Sequence, residues 1–201
     1  IDRECNEVIS EIYEKELINY IQMVMPQMQG VVMSDYGSGT ITPKIRDLIL
    51  SLSKEYDIPS IIDSRYAIFN FVGTDYVKQN DAELASAVGY KIDNEEILYK
   101  AAQEFLVKMQ AKGILVKRGE KGMTLFEANG DVHNIPVSDK SEVFDVSGAG
   151  DTCVATFITA LATGAMPSQA AELSNFASGI AVRKMGTATV SDEELIAVLK
   201  K

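Results

Sequence analysis

The run Asp145-Val146-Ser147-Gly148-Ala149-Gly150-Asp151-Thr152 combines residue types that can move a phosphoryl group. Two glycines flank an alanine, and an apolar helical pattern begins at once with Cys153, Val154, Phe157, Ile158 and Leu161. A glycine turn feeding a helix leaves several backbone N–H groups without intrahelical partners, aimed at one point. The helix dipole adds partial positive charge there, so Gly148, Ala149 and Gly150 read as an anion cradle. Asp151 sets a carboxylate beside it. A cradle with an adjacent base is what phosphoryl transfer to a hydroxyl requires. Taken alone, the same run also fits an ordinary capped helix, because Asp in a first turn is stabilising in its own right. No Gly-Lys-Ser/Thr follows, so it is not a phosphate-binding P-loop. It also lacks the third glycine of the dinucleotide fingerprint.

A second constellation is Asn80-x-x-Glu83. An amide and a carboxylate three residues apart near a helix start can turn their oxygens the same way, and such oxygens suit Mg²⁺ held through water. The competing reading is a helix N-cap with a helix-favouring Glu, which the pair without context favours. Gly119 and Gly122 either shape a turn or let a ligand approach the backbone. His133, the only histidine, reads as a solvated strand residue without a role. The cluster Asp192-Glu193-Glu194 reads as first-turn helix electrostatics.

The elements that must position these residues follow from periodicity. Residues 4–25 read as a helix, with Val8, Ile12, Ile21 and Met25 among its apolar positions. Val31-Val32-Met33 has the continuous apolar character of a buried parallel strand. Thr42-Pro43 opens a helix whose buried face is Ile45, Leu48, Ile49 and Leu52, and Ser60-Ile61-Ile62 is the next strand. Tyr76-Val77 is a strand ending in Lys78-Gln79-Asn80, a helix opens at Asp81, and another runs from Asn94 to Gly113. Ile114-Leu115-Val116 is again a buried strand, followed by Lys117-Arg118-Gly119. Met123 to Pro136 reads as a hairpin around the Asn129-Gly130 turn. Three helices close the chain: after Gly150, from Ser168 to Met185, and from Ser191, the last with a Ser191-x-x-Glu194 capping box. Gly164 and Gly186 stand where helix-terminating glycines belong. Alternating strands and helices predict an α/β fold with a mainly parallel sheet covered on both faces. Ligands in such sheets bind beyond the carboxyl ends of the strands, where Asp35, Asp63, Asn80, Lys117 and Arg118 fall.

Composition narrows the partners. A chain of 201 residues, 46% hydrophobic, suits one α/β domain with a sizeable core. A net charge of −10 disfavours nucleic acid and leaves room for a phosphorylated small molecule held by a local cation site. No apolar run is long enough to span a membrane. Cys5 and Cys153 lie far apart and give neither a metal spacing nor a disulfide framework, which points to a reducing, cytoplasmic setting.

Together, Asn80-x-x-Glu83, Lys117-Arg118-Gly119-Glu120-Lys121-Gly122 and Asp145 to Thr152 resemble, in order and spacing, the ribokinase/PfkB family of sugar kinases. Ser34-Asp35-Tyr36-Gly37-x-Gly39 and Lys184 to Ser191 are similar to the branch that phosphorylates D-glycero-β-D-manno-heptose 7-phosphate at C1 in ADP-heptose synthesis, as is Ile1-Asp2-Arg3-Glu4. The resemblance implies a ribokinase-like three-layer α/β/α fold over residues 1–201, without the front part that supplies the first strands, most sugar contacts and a lid. It implies ATP, Mg²⁺ and a sugar phosphate as ligands. Asp151 would be the base and Gly148, Ala149 and Gly150 the anion hole. Asn80 and Glu83 would hold Mg²⁺ through water, Lys117 and Gly119 would lie on the ATP side, and Asn175 near the adenine. Asp145 and Ser147, with carbonyls near Ala181 and Gly186, resemble a monovalent-cation (K⁺) site. Gln79 stands where the family usually has proline, and Asp63-Ser64-Arg65 where it often has Asp-Pro. The alternatives are a kinase for another sugar or nucleoside, or an inactive nucleotide-binding fragment. The missing strands predict exposed apolar surface and hence dimerisation, a homodimer, or poor solubility.

Overall fold

The strands among the described residues are short, and most of them are largely buried on both faces. In the computed structural model, which describes residues 7–137 and 145–200, six of them form one sheet in the order β1-β2-β3-β4-β5-β6. β1 (Val31–Asp35), β2 (Ser60–Ser64), β3 (Tyr76–Asn80) and β4 (Gly113–Lys117) are parallel. β5 (Met123–Glu127) and β6 (Val132–Ile135) continue antiparallel as the expected hairpin, with Gly130 at φ +96° in its turn. Among the described residues there are seven α-helices: α1 (Glu11–Val24), α2 (Pro43–Glu55), α3 (Asp81–Val88), α4 (Glu95–Met109), α5 (Ala149–Ala162), α6 (Pro167–Ala181) and α7 (Asp192–Leu199). None is long and apolar enough to cross a membrane.

Side-chain alternation along the strands builds two cores. Ile62, Val77, Ile114 and Val116 join Leu84, Leu98, Phe105 and Met109 beneath α3 and α4. Ile61, Tyr76, Leu115 and Leu125 join Phe157, Ile158 and Ala170 beneath α5 and α6. A sheet buried on both sides explains why β2 and β4 read as unbroken apolar runs. Each large side chain fully buried here, Phe105 or Phe157 for instance, contributes roughly 1.5–3 kcal/mol.

Several boundaries differ from the sequence reading. The first helix starts at Glu11 because the chain before it is held extended, with the Ile9 amide donating to the Gly39 carbonyl. It ends at Val24, and Met25–Gln27 tightens into a 3-10 turn containing Pro26. Residues 1–6, with Cys5 and the Ile1-Asp2-Arg3-Glu4 match, lie outside the described residues. α4 stops at Met109, four residues early, because Gln110 takes the left-handed C-cap at φ 53°. Gly113 instead opens β4 under the Tyr76 ring, where an added Cβ would stand 2.9 Å from Cε1. α6 ends at Ala181, so Gly186 is no helix cap; Gly164 does follow α5 in a left-handed turn at φ +91°. Among the described residues β1 is the sheet edge, with Val32 37% exposed and Met33 buried. Ile12, Tyr20 and Met23 of α1 also face outward.

Candidate active site

Four parallel strands end on the same side, and Asp35, Asp63 and Lys78 near the ends of β1 to β3 line a cavity with the start of α5. Gly148 is the N-cap of α5 in the left-handed conformation at φ +76°, which a glycine adopts without a Cβ penalty. Its carbonyl accepts from the Thr152 amide at 2.8 Å, so the helix is wound from its first residue. Ser178 on α6 donates to the Ala149 carbonyl at 3.1 Å and fixes this turn from behind.

Beneath the turn lies an ion pair. Lys78 Nζ bonds both carboxylate oxygens of Asp63, at 3.0 and 2.8 Å, and both side chains are mostly buried. The two residues are register partners across β2 and β3. A Cβ on Gly150 would stand 3.4 Å from Lys78 Nζ and 3.7 Å from Asp63 Oδ2, so glycine lets the helix start sit directly over the pair. Asp63, Lys78, Arg65, Gly148, Gly150 and Asp151 line a polar cavity of about 220 Å³. Asp151 also lines a wider groove of about 700 Å³ that runs along α5 past Thr156 and Thr187. The Tyr36 hydroxyl donates to Asp151 Oδ1 at 2.9 Å, and this bond holds the phenol above its ordinary pKa.

Asn80 and Glu83 form a reciprocal capping box at the start of α3. Asn80 Oδ1 accepts from the Glu83 amide at 2.8 Å, and the Asn80 amide donates to Glu83 Oε2 at 2.7 Å. The helix-cap reading is therefore realised. It leaves Glu83 Oε1 and a second lone pair on Asn80 Oδ1, an oxygen set that fits an ion held through water rather than a closed cage. Gln79 fills the proline position, buried, donating from Nε2 to the Ser64 and Lys78 carbonyls at 3.1 and 2.9 Å. Lys117 sits beside Asn80 in register at the end of β4. Burial pushes its pKa down, partly offset by Cys153, whose own thiol burial pushes up.

Further residues are held by partners of their own. Arg118 faces Glu95 and donates to Thr124 at 3.3 Å, an anchor between α4 and the hairpin. Gly119 has φ +55° with open space where a Cβ would point. Gly122 is structural: a Cβ there would meet the Ile135 carbonyl at 2.1 Å. Asn175 is buried on α6 and donates to the Pro136 carbonyl at 2.8 Å. Asp145 Oδ1 accepts from the Ser147 amide at 2.8 Å and Oδ2 from the Gly186 amide at 3.1 Å, which holds its carboxyl below the usual range. His133 pairs with Glu127 at 3.1 Å on the hairpin, away from these groups. The sequence reading missed Lys78; its signal was a lysine placed in an otherwise buried strand.

A model of the pfkB family carbohydrate kinases matches residues 15–194. The chain belongs to that family. Among curated pfkB-family relatives, the Bifunctional protein HldE of Paramagnetospirillum magneticum is 36% identical over 201 residues, which cover 100% of this chain and 41% of that protein. The Hyphomonas neptunium protein of the same name is 39% identical over 200 residues, 99% and 41% respectively. The chain thus spans about two-fifths of the length of these relatives. Arabidopsis thaliana ribokinase, solved with ribose and ATP, superposes with a TM-score of 0.80 at 21% identity over 97% of this chain and 61% of that one. Escherichia coli phosphofructokinase-2, solved with potassium, gives 0.81 at 20% over 96% and 63%. The architecture is the ribokinase-like α/β fold.

Proposed function

We propose that this chain carries the nucleotide site and the catalytic base of an ATP-dependent sugar kinase. Its acceptor is a sugar phosphate, and the hydroxyl at C1 of D-glycero-β-D-manno-heptose 7-phosphate fits best. One observation supports the reading above all: Asp151 stands on the first turn of α5, between the Gly148–Gly150 cradle and a cavity containing Lys78 and Arg65. The match to HldE proteins over the whole chain, and the ribokinase neighbour solved with ribose and ATP, point the same way.

In this reading the γ-phosphoryl group passes in line to the acceptor oxygen through a loose transition state, so positioning and charge stabilisation dominate. Backbone N–H groups of Gly148, Ala149 and Gly150 meet the developing charge. Asp151 accepts the hydroxyl proton. Lys117 and Gly119 border the nucleotide, with Asn175 toward its base. Asn80 and Glu83 would hold Mg²⁺ through water, which when bound neutralises phosphate charge. Asp145 and Ser147 would border a monovalent cation, as the potassium in the phosphofructokinase-2 structure suggests.

The test is Asp151→Asn in the full-length protein. General-base loss costs on the order of 10²–10⁴ in kcat. ATP affinity by calorimetry should stay within about threefold, because Asp151 bonds no nucleotide group in this reading. A variant turning over within a fewfold of wild type would remove Asp151 from the role. Wild type that binds ATP–Mg²⁺ yet phosphorylates no sugar would make the chain a nucleotide-binding module instead.

A further inference from the structure

The Asp35-Tyr36-Gly37 loop reaches the candidate site, yet the transfer just described gives it no task. Its geometry is unusually constrained for an exposed loop. Asp35 Oδ2 accepts from Ser64 Oγ at 2.9 Å and Oδ1 from the Gly37 amide at 3.0 Å. Asp35 and Ser64 are register partners at the ends of β1 and β2, so this clamp is anchored in the sheet. Gly37 turns the chain at φ +71°, with the Tyr66 ring 3.1 Å from where a Cβ would stand. The Arg65 guanidinium lies 5.9 Å from the centre of the Tyr36 ring. These restraints deliver the Tyr36 hydroxyl to Asp151 Oδ1 at 2.9 Å across 115 positions of sequence.

We propose that Tyr36 is a positioning residue for the base: its hydroxyl fixes Asp151 Oδ1 and leaves Oδ2 to receive the proton. The inference rests on the kinase reading above. A carboxylate rotates about a broad terminal torsion, so an unheld Asp on a helix start presents either oxygen in many directions. A hydrogen bond to an ionised group is among the stronger ones and selects one rotamer. Among the described residues no hydrogen bond is made to Oδ2, and Asp151 lines the cavity. In the step itself, the acceptor O–H bond breaks as its oxygen bonds phosphorus. The bond from phosphorus to the ADP oxygen breaks, the proton passes to Oδ2, and Tyr36 keeps its own proton. Asp35 and Ser64 act one step further back, holding the loop that carries the phenol.

The experiment compares wild type, Tyr36→Phe, Asp151→Asn and the double variant in the full-length protein. The probes are ATP–Mg²⁺ with heptose 7-phosphate, fructose 6-phosphate and ribose as acceptors. Tyr36→Phe should lower kcat about 10- to 100-fold, with the acceptor KM within threefold and an unchanged thermal midpoint. In single turnover, the double variant should match Asp151→Asn, because Tyr36 acts only through the base. Ser64→Ala, which loosens the clamp from outside the cavity, should give a smaller loss of the same kind and covers the case of a poorly folding Tyr36→Phe. A lower KM with kcat retained would mean that the phenol competes with the acceptor hydroxyl, and would overturn the proposal. So would a Tyr36 effect that persists in the Asp151→Asn background, or a Tyr36→Phe equal to an active wild type. Wild type inactive on all three acceptors would instead overturn the kinase reading, and this inference with it.

Discussion

Gly150→Ala separates the fold from the chemistry. Gly150 sits in the first turn of α5 and has no left-handed backbone requirement, unlike Gly148 at φ +76°. An added methyl would lie 3.4 Å from Lys78 Nζ, 3.7 Å from Asp63 Oδ2 and 3.8 Å from Lys78 Cε, which are ordinary contacts. Replacing a helical glycine by alanine gains up to about 0.5–1 kcal/mol, and less in a first turn, so the thermal midpoint should hold or rise. The same methyl projects over the charged floor of the cavity of about 220 Å³. Oxygens of a transferring phosphoryl group must come within about 2.7–3.1 Å of their donors, and a methyl there holds them off. Losing one such donor costs roughly 10²–10³ in kcat, or about 2.7–4 kcal/mol. ADP release in a coupled assay on the full-length protein, beside a thermal melt, measures both. A variant with kcat within fivefold of wild type and an unchanged melt would refute the placement of the transferring group over Gly150. Gly148→Ala is the poorer probe, since its strain alone costs about 1–2 kcal/mol.

Glu83→Gln keeps an oxygen to accept from the Asn80 amide, so the capping box and the melting temperature should survive. The Mg²⁺ concentration for half-maximal activity should rise by roughly 10- to 100-fold, as for other lost outer-sphere partners, measured by metal titration of the full-length protein. Burial lowers the Lys117 pKa, so the unfolded chain binds more protons than the folded one between the folded value and about 10.4. The charged lysine therefore destabilises the fold at neutral pH, and this loss fades as pH rises through that window. Lys117→Met should melt higher than wild type at pH 7, with the gap narrowing toward pH 10. Gly113→Ala should cost about 1–3 kcal/mol by overpacking, because the Cβ would meet the Tyr76 ring at 2.9 Å and the Phe126 carbonyl at 3.2 Å; chemical denaturation reads it. Its kcat should be unchanged, since Gly113 lies at the end of β4 opposite Lys117.

Local chemistry explains what could be read in advance. Alternating apolar runs and helical stretches announced the parallel sheet, and Asn129-Gly130 announced the hairpin. Thr42-Pro43 and Ser191-x-x-Glu194 marked helix starts that the structure places as expected. The glycine turn that opens α5 was legible because glycine, helix and acid are contiguous. Lys78 was not, because a lysine in a strand acquires meaning only when Asp63 is brought beside it by sheet register. The end of α4 was misread since Gln110 rather than a glycine adopts the left-handed cap. Gly186 looked like a cap, and its amide serves Asp145 instead. The contact from Tyr36 to Asp151 could not be seen in one dimension at all.

The bracket made by Asp145 has a mechanical consequence. One carboxylate accepts from Ser147, at the lip of the cradle, and from Gly186, in the stretch between α6 and α7. The Asp145 amide also donates to the Val182 carbonyl at 3.1 Å, and Lys184 ties the same stretch to Glu194 at 2.7 Å. The stretch between α6 and α7 is thus tied to the turn that opens α5. On the kinase reading, strain placed on α7 would reach the Gly148–Gly150 turn through Asp145 and register as a change in turnover.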